Sequence, residues 1–381
     1  MGNALNVRDL LFIGVIALAA TLVLTPAVRA LTVRVGLLEK TSPRKLHTRP
    51  MPTAGGLAMF FGFWGAVFAF SLAGGGAGAH GAGVPAGLLP ATLLIVVLGM
   101  VDDYLDLRPG VKLAGQVAAA VVFVFSGARI EQLGHPLGGV LELGWWSVPV
   151  TLLWLVAVTN VLNIIDGLDG LAAGMTSIAA LPMLFIALQR EQWAAALLAA
   201  ALIGSTLGFL RYNFNPARLF MGDTGGMFLG FVLGAVAVEG VLGGPADVAP
   251  TIPVVALGVP VFDTACAIVR RAMSGRPIAQ ADDGHLHHRL VRAGLSQRQA
   301  VLRLYAAGAA LALVSLVLLR VSPLQAFFVA AGLAAAALPP ARRLGVLGEL
   351  PGRAAAPAHA RPAAVRSEQR RPGVSQARRA R

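Results

Sequence analysis

The chain has 381 residues, of which 56% are hydrophobic and only 13% are charged. Soluble domains carry roughly 25% charged residues, so this composition excludes an ordinary soluble protein and indicates a membrane protein. The net charge of +13 is explained by Lys and Arg gathered in cytoplasmic loops, without a nucleic-acid partner. The single cysteine, Cys266, excludes an intrachain disulfide.

Eleven apolar segments are each predicted to form a membrane-spanning helix, for which about 20 residues are needed. They cover residues 10–30, 54–73, 87–101, 112–127, 145–162, 171–188, 193–210, 225–242, 249–269, 299–319 and 323–340. The fold class is therefore predicted to be all-α, a polytopic integral membrane protein with about 11 transmembrane helices. The first segment is interpreted as a retained helix because its apolar run is long for a cleaved signal peptide.

The segments between these helices alternate in charge. Those after spans 1, 3, 5, 7 and 9, together with residues 342–381, hold 27 of the 31 Lys and Arg residues. The positive-inside rule makes this set cytoplasmic, so the N-terminus is predicted outside and the C-terminus inside. Residues 1–340 are predicted to be one polytopic domain. Residues 341–381, rich in Arg, Ala and Pro, are predicted to be a disordered basic tail.

The acids, amides and histidines concentrate in the predicted cytoplasmic loops. These loops are "SPRKLHTRPMPTAGG" (42–56), "DDYLDLRPGVK" (102–112), "NVLNIIDGLDG" (160–170), "RYNFNPARLFMGDTGG" (211–226) and "DDGHLHHRL" (282–290). Ionisable groups at a membrane boundary are candidates for function, so we expect one site at this face.

Asp102 and Asp103 directly follow an apolar span, and two adjacent carboxylates repel each other unless a cation or a proton lies between them. The commoner meaning of such a pair is a solvated helix end. Asp106, four residues after Asp102 and on the same helical face, favours a functional pair.

Asn160, Asn163, Asp166 and Asp169 recur every three residues, which places them on one face if the segment is helical. Their oxygens are hard ligands that suit Mg²⁺. Two Asp-Gly pairs favour a turn instead, and the residues alone leave these interpretations open.

Asp223 is followed by Thr224 and two glycines, a pattern typical of a helix N-cap, and it is also a candidate metal ligand. Phe220 fits either a core aromatic or a flat face for a nucleotide base.

His285, His287, His288 and Arg289 form a basic cluster. Zinc is disfavoured because no cysteine accompanies the histidines, and phosphate oxygens fit better. Lys45, His47 and Lys112 would add positive charge, although each alone fits the positive-inside rule.

Groups for Mg²⁺, groups for phosphate and a hydrocarbon flank together indicate a membrane enzyme that moves a phosphate-containing group onto or off a lipid. A secondary transporter is the alternative from another class. It predicts polar groups near the midplane, and only Asp263 lies clearly inside a span.

"DDYLDLRPGVKL", "NVLNIIDGLDGLAAG", "FMGDTGG", "HLHHRL" and "RKLH" resemble, in the same order, motifs of the bacterial polyprenyl-phosphate N-acetylhexosamine-1-phosphate transferases, glycosyltransferase family 4. The resemblance implies transfer of a sugar phosphate from a UDP-N-acetylhexosamine to a polyprenyl phosphate in the plasma membrane. It implies Mg²⁺, with Mn²⁺ as an alternative ion, and allows a homodimer.

The resemblance also implies a role for each matching residue. Asp223 is expected to be the main Mg²⁺ ligand and Asn163 the second. Asp102 and Asp103 are expected beside the lipid phosphate, with Asp102 the better candidate to deprotonate or orient it, and Asp166 joins them as a catalytic acid near the nucleotide sugar. Substrate-binding roles are expected for the remaining matches, which are Lys45, His47, Lys112, Asn160, Asp169, Phe220, Asp263, His285, His287, His288 and Arg289.

Leu286 interrupts the histidines, which favours the N-acetylglucosamine branch of the family and hence cell-envelope glycan synthesis. The phospho-N-acetylmuramoyl-pentapeptide transferase reaction is the alternative.

Overall fold

A computed structural model of the chain describes residues 6–39, 50–75, 83–135, 139–242, 250–277 and 284–346. Lys45, His47 and residues 347–381 lie outside this part of the chain. The described residues form a helical bundle with two small antiparallel hairpins, which confirms the predicted all-α polytopic class.

The helices are α1 (Val7–Val35), α2 (Gly56–Phe70), α3 (Leu88–Leu105), α4 (Pro109–Val124), α5 (Ser147–Ile165), α6 (Leu171–Gln189), α7 (Trp193–Asn213), α8 (Gly222–Ala237), α9 (Thr251–Ala256), α10 (Gly258–Met273), α11 (Leu286–Arg292), α12 (Gln297–Val317) and α13 (Pro323–Arg343). One hairpin pairs β1 (Leu38–Glu39) with β2 (Met51–Pro52), and the other pairs β3 (Gln132–Gly134) with β4 (Val140–Glu142).

Within the described residues, nine helical segments are long and apolar enough to cross a membrane. The predicted span 112–127 corresponds to α4, which has only 16 residues. The predicted span 249–269 is divided into α9 and α10 at Leu257. Pro260 has no N–H to donate to the preceding turn, which explains the break. The count of eleven crossings and their orientation therefore stay predictions.

α8 is the central helix of the bundle. Every residue from Thr224 to Ala237 is buried, and α2, α3, α5, α6 and α7 pack around it. A helix that is apolar on all sides belongs in a core. Because α8 is surrounded by other helices, its polar first turn lies between them at one end of the bundle.

The outer helices expose large apolar side chains, among them Phe68, Leu313 and Phe328. Such a surface suits lipid rather than water, and the chain is a multi-pass membrane protein.

The domain boundary predicted after Pro340 falls inside α13, which continues to Arg343. The chain is described as far as Val346, which is buried.

Candidate active site

The first turn of α8 is capped by Asp103, which belongs to the last turn of α3. Asp103 Oδ1 accepts the backbone N–H of Asp223 at 2.7 Å, and Oδ2 accepts the Thr224 N–H at 3.2 Å and the Thr224 hydroxyl at 2.7 Å. The prediction that Asp223 is itself the N-cap is wrong, because Asp223 is the second residue of the helix. Its carboxylate is therefore available for another role.

Lys112, in the first turn of α4, lies between two acids. Its Nζ is 2.5 Å from Asp102 Oδ2 and 3.0 Å from Asp223 Oδ1. The Asp102 side chain is 3% exposed, and its Oδ1 accepts the Leu107 N–H at 2.9 Å, which fixes the carboxylate at the end of α3. The ammonium of Lys112 thus lies between the carboxylates of Asp102 and Asp223, whereas Asp103, the other member of the predicted pair, caps α8.

Asn163 joins this group from the last turn of α5, where its Nδ2 lies 2.6 Å from Asp223 Oδ1. The orientation of an amide is assigned from its hydrogen bonds, and a rotated Asn163 would present its oxygen to the same place. We call Asp102, Lys112, Asn163 and Asp223 the carboxylate cluster.

The carboxylate cluster offers oxygen atoms, the ligand type that Mg²⁺ prefers. Among the described residues, no three His, Cys, Asp or Glu side chains form a metal-binding group. Mg²⁺ does not require such a group, since one or two carboxylates, water and substrate phosphates complete its octahedron. Asp223, one-third exposed, and Asn163 offer oxygens of the right type, so the donor set fits.

Asn160 lies one turn before Asn163 on α5 and pairs with Gln116 of α4. Its Nδ2 donates to Gln116 Oε1 at 2.6 Å and to the Val156 carbonyl at 2.8 Å. Gln116 is buried and was missed by the sequence analysis. A lone amide in the apolar run "LAGQVAAA" was the signal that could have identified it.

The segment from Asn160 to Asp169 combines the two interpretations left open by the sequence, a helix at its start and a turn at its end. α5 ends at Ile165, Asp166 is its C-terminal cap, and a turn connects it to α6. Asp169 is buried, and its Oδ2 accepts the Asn215 side-chain N–H and the Ala217 backbone N–H, both at 2.9 Å. Asp169 therefore anchors the loop after α7 instead of continuing the row of Asn160 and Asn163.

The loop between α7 and α8 carries Phe220 and is held by further buried amides. Asn213 accepts the Gly170 N–H at 3.0 Å and donates to the Leu219 carbonyl at 3.1 Å. The Phe220 N–H donates to the Pro52 carbonyl at 2.9 Å. Phe220 itself is half-buried. Asn213 and Asn215 were quoted in the sequence motif but given no role.

Asp263 holds the start of the histidine helix α11. Its Oδ2 is 3.0 Å from His285 Nδ1, and its Oδ1 accepts the Leu286 N–H at 2.7 Å. Asp263 is therefore a buried acid that pairs with a base. This acid reaches the site only through the residues that it positions.

His287 connects α11 to the turn after α5. Its ring lies so close to Gly167 that a Cβ there would be 2.9 Å from Cδ2. Burial, followed by the neighbouring His288, lowers the pKa of His287 to about 3, so this imidazole is neutral at physiological pH. The His288 ring centroid lies 4.3 Å from that of His287, and Arg289 follows half-buried on the same helix.

The structure thus brings together α3, α4, α5, α8 and α11 at one end of the central helix. Asp102, Lys112, Asn163 and Asp223 meet directly, and the histidine helix adjoins them through Gly167. Carboxylate oxygens, an ammonium group and a helix N-terminus can together handle a metal ion and phosphates. Fold and site define the class of a helical membrane enzyme with a polar site buried in its bundle.

Comparison with known proteins agrees with this class. The model of glycosyl transferase family 4 matches residues 85–241. The chain is 38% identical over 295 residues to the probable undecaprenyl-phosphate N-acetylglucosaminyl 1-phosphate transferase of Bacillus subtilis, covering 77% of this chain and 80% of that protein. It belongs to glycosyl transferase family 4.

Two further relatives represent both branches of the family. Identity is 37% over 332 residues to the decaprenyl-phosphate N-acetylglucosaminephosphotransferase of Mycobacterium tuberculosis, covering 80% of this chain and 81% of that protein. It is 34% over 334 residues to the phospho-N-acetylmuramoyl-pentapeptide-transferase of Desulforudis audaxviator, covering 79% of this chain and 95% of that protein.

Proposed function

We propose that the protein transfers N-acetylglucosamine-1-phosphate from UDP-N-acetylglucosamine to a polyprenyl phosphate of the undecaprenyl type. The reaction releases UMP and forms the lipid-linked sugar diphosphate that begins cell-envelope glycan synthesis. Two of the relatives above are named as transferases of N-acetylglucosamine phosphate that act on a polyprenyl phosphate. The observation that carries the proposal is the carboxylate cluster at the buried start of α8.

In the proposed reaction a phosphate oxygen of the lipid attacks the β-phosphorus of the UDP-sugar. A new P–O bond forms, the bond to the bridging oxygen of the diphosphate breaks, and UMP leaves with that oxygen. Asp102 orients the attacking phosphate or accepts its proton. Lys112, 20% exposed, moves from the acids towards the phosphate oxygens and balances their charge.

Asp223 and Asn163 would hold Mg²⁺, or Mn²⁺ in its place, which neutralises charge on the diphosphate when it is bound. Asp103 contributes by fixing the start of α8 and with it the position of Asp223. This differs from the direct catalytic role that the motif implies for Asp103.

The UDP-sugar is proposed to lie between the Phe220 loop and the histidine helix. Phe220 offers its half-buried ring to the uracil, while Asp166, His288 and Arg289 face the sugar and its phosphates. Three other residues act indirectly in this proposal. The Asp169 carboxylate holds the loop after α7. The Asp263 carboxylate and the His285 ring bind each other at the start of α11. Lys45 and His47 complete the phosphate contacts in this proposal.

The site is proposed to face the cytoplasm of the plasma membrane, with the N-terminus outside and eleven crossings. The excess of Lys and Arg in the loops that carry the motifs supports this orientation. A homodimer stays a prediction.

The decisive experiment is a membrane assay with labelled UDP-N-acetylglucosamine and polyprenyl phosphate, run beside the muramoyl-pentapeptide nucleotide. Labelled lipid from the first donor alone supports the proposal, and labelled lipid from the second alone assigns the protein to the other branch. No labelled lipid from either donor refutes the transferase function. Asp223→Asn should abolish turnover. EDTA should also abolish turnover, and added Mg²⁺ should restore it. Glu131→Gln, at an exposed acid, serves as the control.

A further inference from the structure

α13 ends in a hydrogen-bonded stop rather than fraying. The Val346 N–H donates to the Ala341 carbonyl at 2.9 Å and the Gly345 N–H to the Arg342 carbonyl at 3.0 Å. Gly345 has φ +71°, the left-handed conformation that this helix ending requires. The sequence "ARRLGV" therefore encodes an ordered terminus, which we call the α13 stop (residues 341–346).

The α13 stop packs against the two helices that carry the histidine cluster. Ala341 and Val346 are buried together with Cys266 of α10. Leu286, the first residue of α11, packs against the same small core. Leu286 is also the residue whose backbone N–H is held by Asp263. The α13 stop and Asp263 thus fix one and the same point at the start of α11.

Two arginines extend this contact. Arg270 of α10 is buried and donates from Nη1 to the Val346 carbonyl. The same guanidinium covers Gly284, where a Cβ would lie 2.5 Å from Arg270 Cζ. Arg289 of α11 lies against the stop, since a Cβ at Gly345 would be 3.2 Å from Arg289 Nη1.

One face of α10 organises all of these contacts. Asp263, Cys266 and Arg270 are separated by three and four residues, the spacing that aligns side chains along a helix. Asp263 binds His285, Cys266 packs on the α13 stop, and Arg270 binds its last carbonyl. The α13 stop and the histidine helix therefore contact the same face of α10.

We propose that the α13 stop positions α11 for binding of the UDP-sugar, and that Arg270, Gly345 and Val346 are positioning residues of the site. This inference rests on the proposed function and extends it, because that proposal gives no role to any residue of the stop. Its partner is α11, and its effect falls on the affinity for the UDP-sugar rather than on the lipid phosphate.

The test compares two shortened chains. Ending the chain after Val346 removes residues 347–381 and keeps the stop, whereas ending it after Arg343 also removes three residues of the stop. We expect only the second to raise KM for the UDP-sugar, by about fivefold or more, with KM for the polyprenyl phosphate unchanged. Equal KM values for the UDP-sugar in the two shortened chains would overturn the inference. An equal rise in KM for the UDP-sugar and for the polyprenyl phosphate would overturn it as well.

A point substitution checks the same contact without shortening the chain. Gly345→Ala strains the left-handed turn and presses on Arg289, so KM for the UDP-sugar should rise. Gly127→Ala is the matched control, because Gly127 also has a positive φ, +103°, but nothing lies within 4 Å of a Cβ there. A KM increase of equal size in both variants would contradict a specific role of the stop.

Amide hydrogen exchange separates this inference from the proposed function. The segment 284–292 should exchange about tenfold faster when the chain ends after Arg343, and at the full-length rate when it ends after Val346. Faster exchange in the chain that ends after Arg343, with no lipid product from the full-length chain, would support the positioning role of the α13 stop and reject the transferase function. Unchanged exchange, with a full-length chain that is an active transferase, would reject the positioning role alone.

Discussion

Asp103 accepts the backbone N–H of Asp223 at 2.7 Å and so fixes the first turn of α8 from the neighbouring helix α3. Loss of a helix cap destabilises a protein by roughly 0.5–2 kcal/mol. We expect Asp103→Ala to lower the thermal midpoint in detergent and to raise the Mg²⁺ concentration needed for turnover. Asp103→Asn keeps one oxygen acceptor and should lie between Asp103→Ala and the wild type in both measurements.

The comparison variant for this prediction is Asp102→Asn, which removes charge from the acid paired with Lys112. It should lose turnover at every Mg²⁺ concentration. An Asp103→Asn protein that is equally inactive yet unfolds at the wild-type temperature would show that Asp103 acts on the substrate directly.

Lys112 supplies the positive charge between Asp102 and Asp223. Removing one partner of a fully buried pair costs about 3–5 kcal/mol. Because Asp223 is one-third exposed, solvent screening reduces this to about 1–3 kcal/mol. Lys112→Met should therefore lower the thermal midpoint, and Mg²⁺ should raise it again by more than it does in the wild type.

Arg129→Gln is the control for the Lys112 variant. It breaks the 3.0 Å ion pair between Arg129 and Glu131. The Arg129 side chain is 47% exposed and the Glu131 side chain is 63% exposed. Exposed pairs contribute about 0–1 kcal/mol, so neither stability nor the response to Mg²⁺ should change. A wild-type Mg²⁺ response in Lys112→Met would mean that the ion and the ammonium do not compete for the same acids.

Hydropathy was sufficient to locate the helices of this bundle, because lipid and core both demand long apolar segments. It could not locate the break at Leu257, since the segment 249–269 stays apolar across it. It also could not show that α8 is the central helix, because burial on all sides depends on how the helices pack. Because α8 is central, Asp223 in its first turn lies between the surrounding helices and not at the edge of the bundle.

The site was predictable in membership more than in role. Periodicity correctly placed Asn160 and Asn163 on one helix, because both precede Ile165. The same periodicity does not extend to Asp169, since α5 already ends at Ile165 with Asp166 as its C-terminal cap. Contacts between distant segments, such as Lys112 with Asp223 or Asp169 with Asn215, leave no signal in local spacing.

Asp169 is predicted to act as an anchor for the loop after α7. Asp169→Ala removes the acceptor of the Ala217 N–H and one of the two acceptors of the Asn215 side chain, which keeps Gln297 Oε1 at 2.9 Å. Loss of a hydrogen bond to a charged group costs about 1.5–3 kcal/mol. The variant should unfold at a lower temperature and show a raised KM for the UDP-sugar through the displaced Phe220, with a smaller effect on kcat. Wild-type stability combined with an abolished kcat would instead indicate direct contact with substrate.

His287 makes stability depend on pH in a defined direction. Its pKa is about 3 in the folded protein, because burial disfavours the charged ring, and 6.5 is the ordinary value that applies to the unfolded chain. The unfolded chain therefore binds a proton between these values that the folded chain does not. The stabilisation is fully present above pH 6.5 and is lost as the pH falls towards 3, by up to about 1.4 kcal/mol per pH unit.

The glutamine of His287→Gln is neutral at every pH. Between pH 7 and pH 5 the thermal midpoint of this variant should therefore fall less than that of the wild type. By the same linkage, the wild type should lose about 2 kcal/mol more in its free energy of unfolding over this range. Asp263, His285 and His288 face this ring and are the same residues in both proteins. His135→Gln, at an exposed histidine, is the control variant. Equal slopes for His287→Gln and the wild type would mean that this imidazole takes up its proton without unfolding the site.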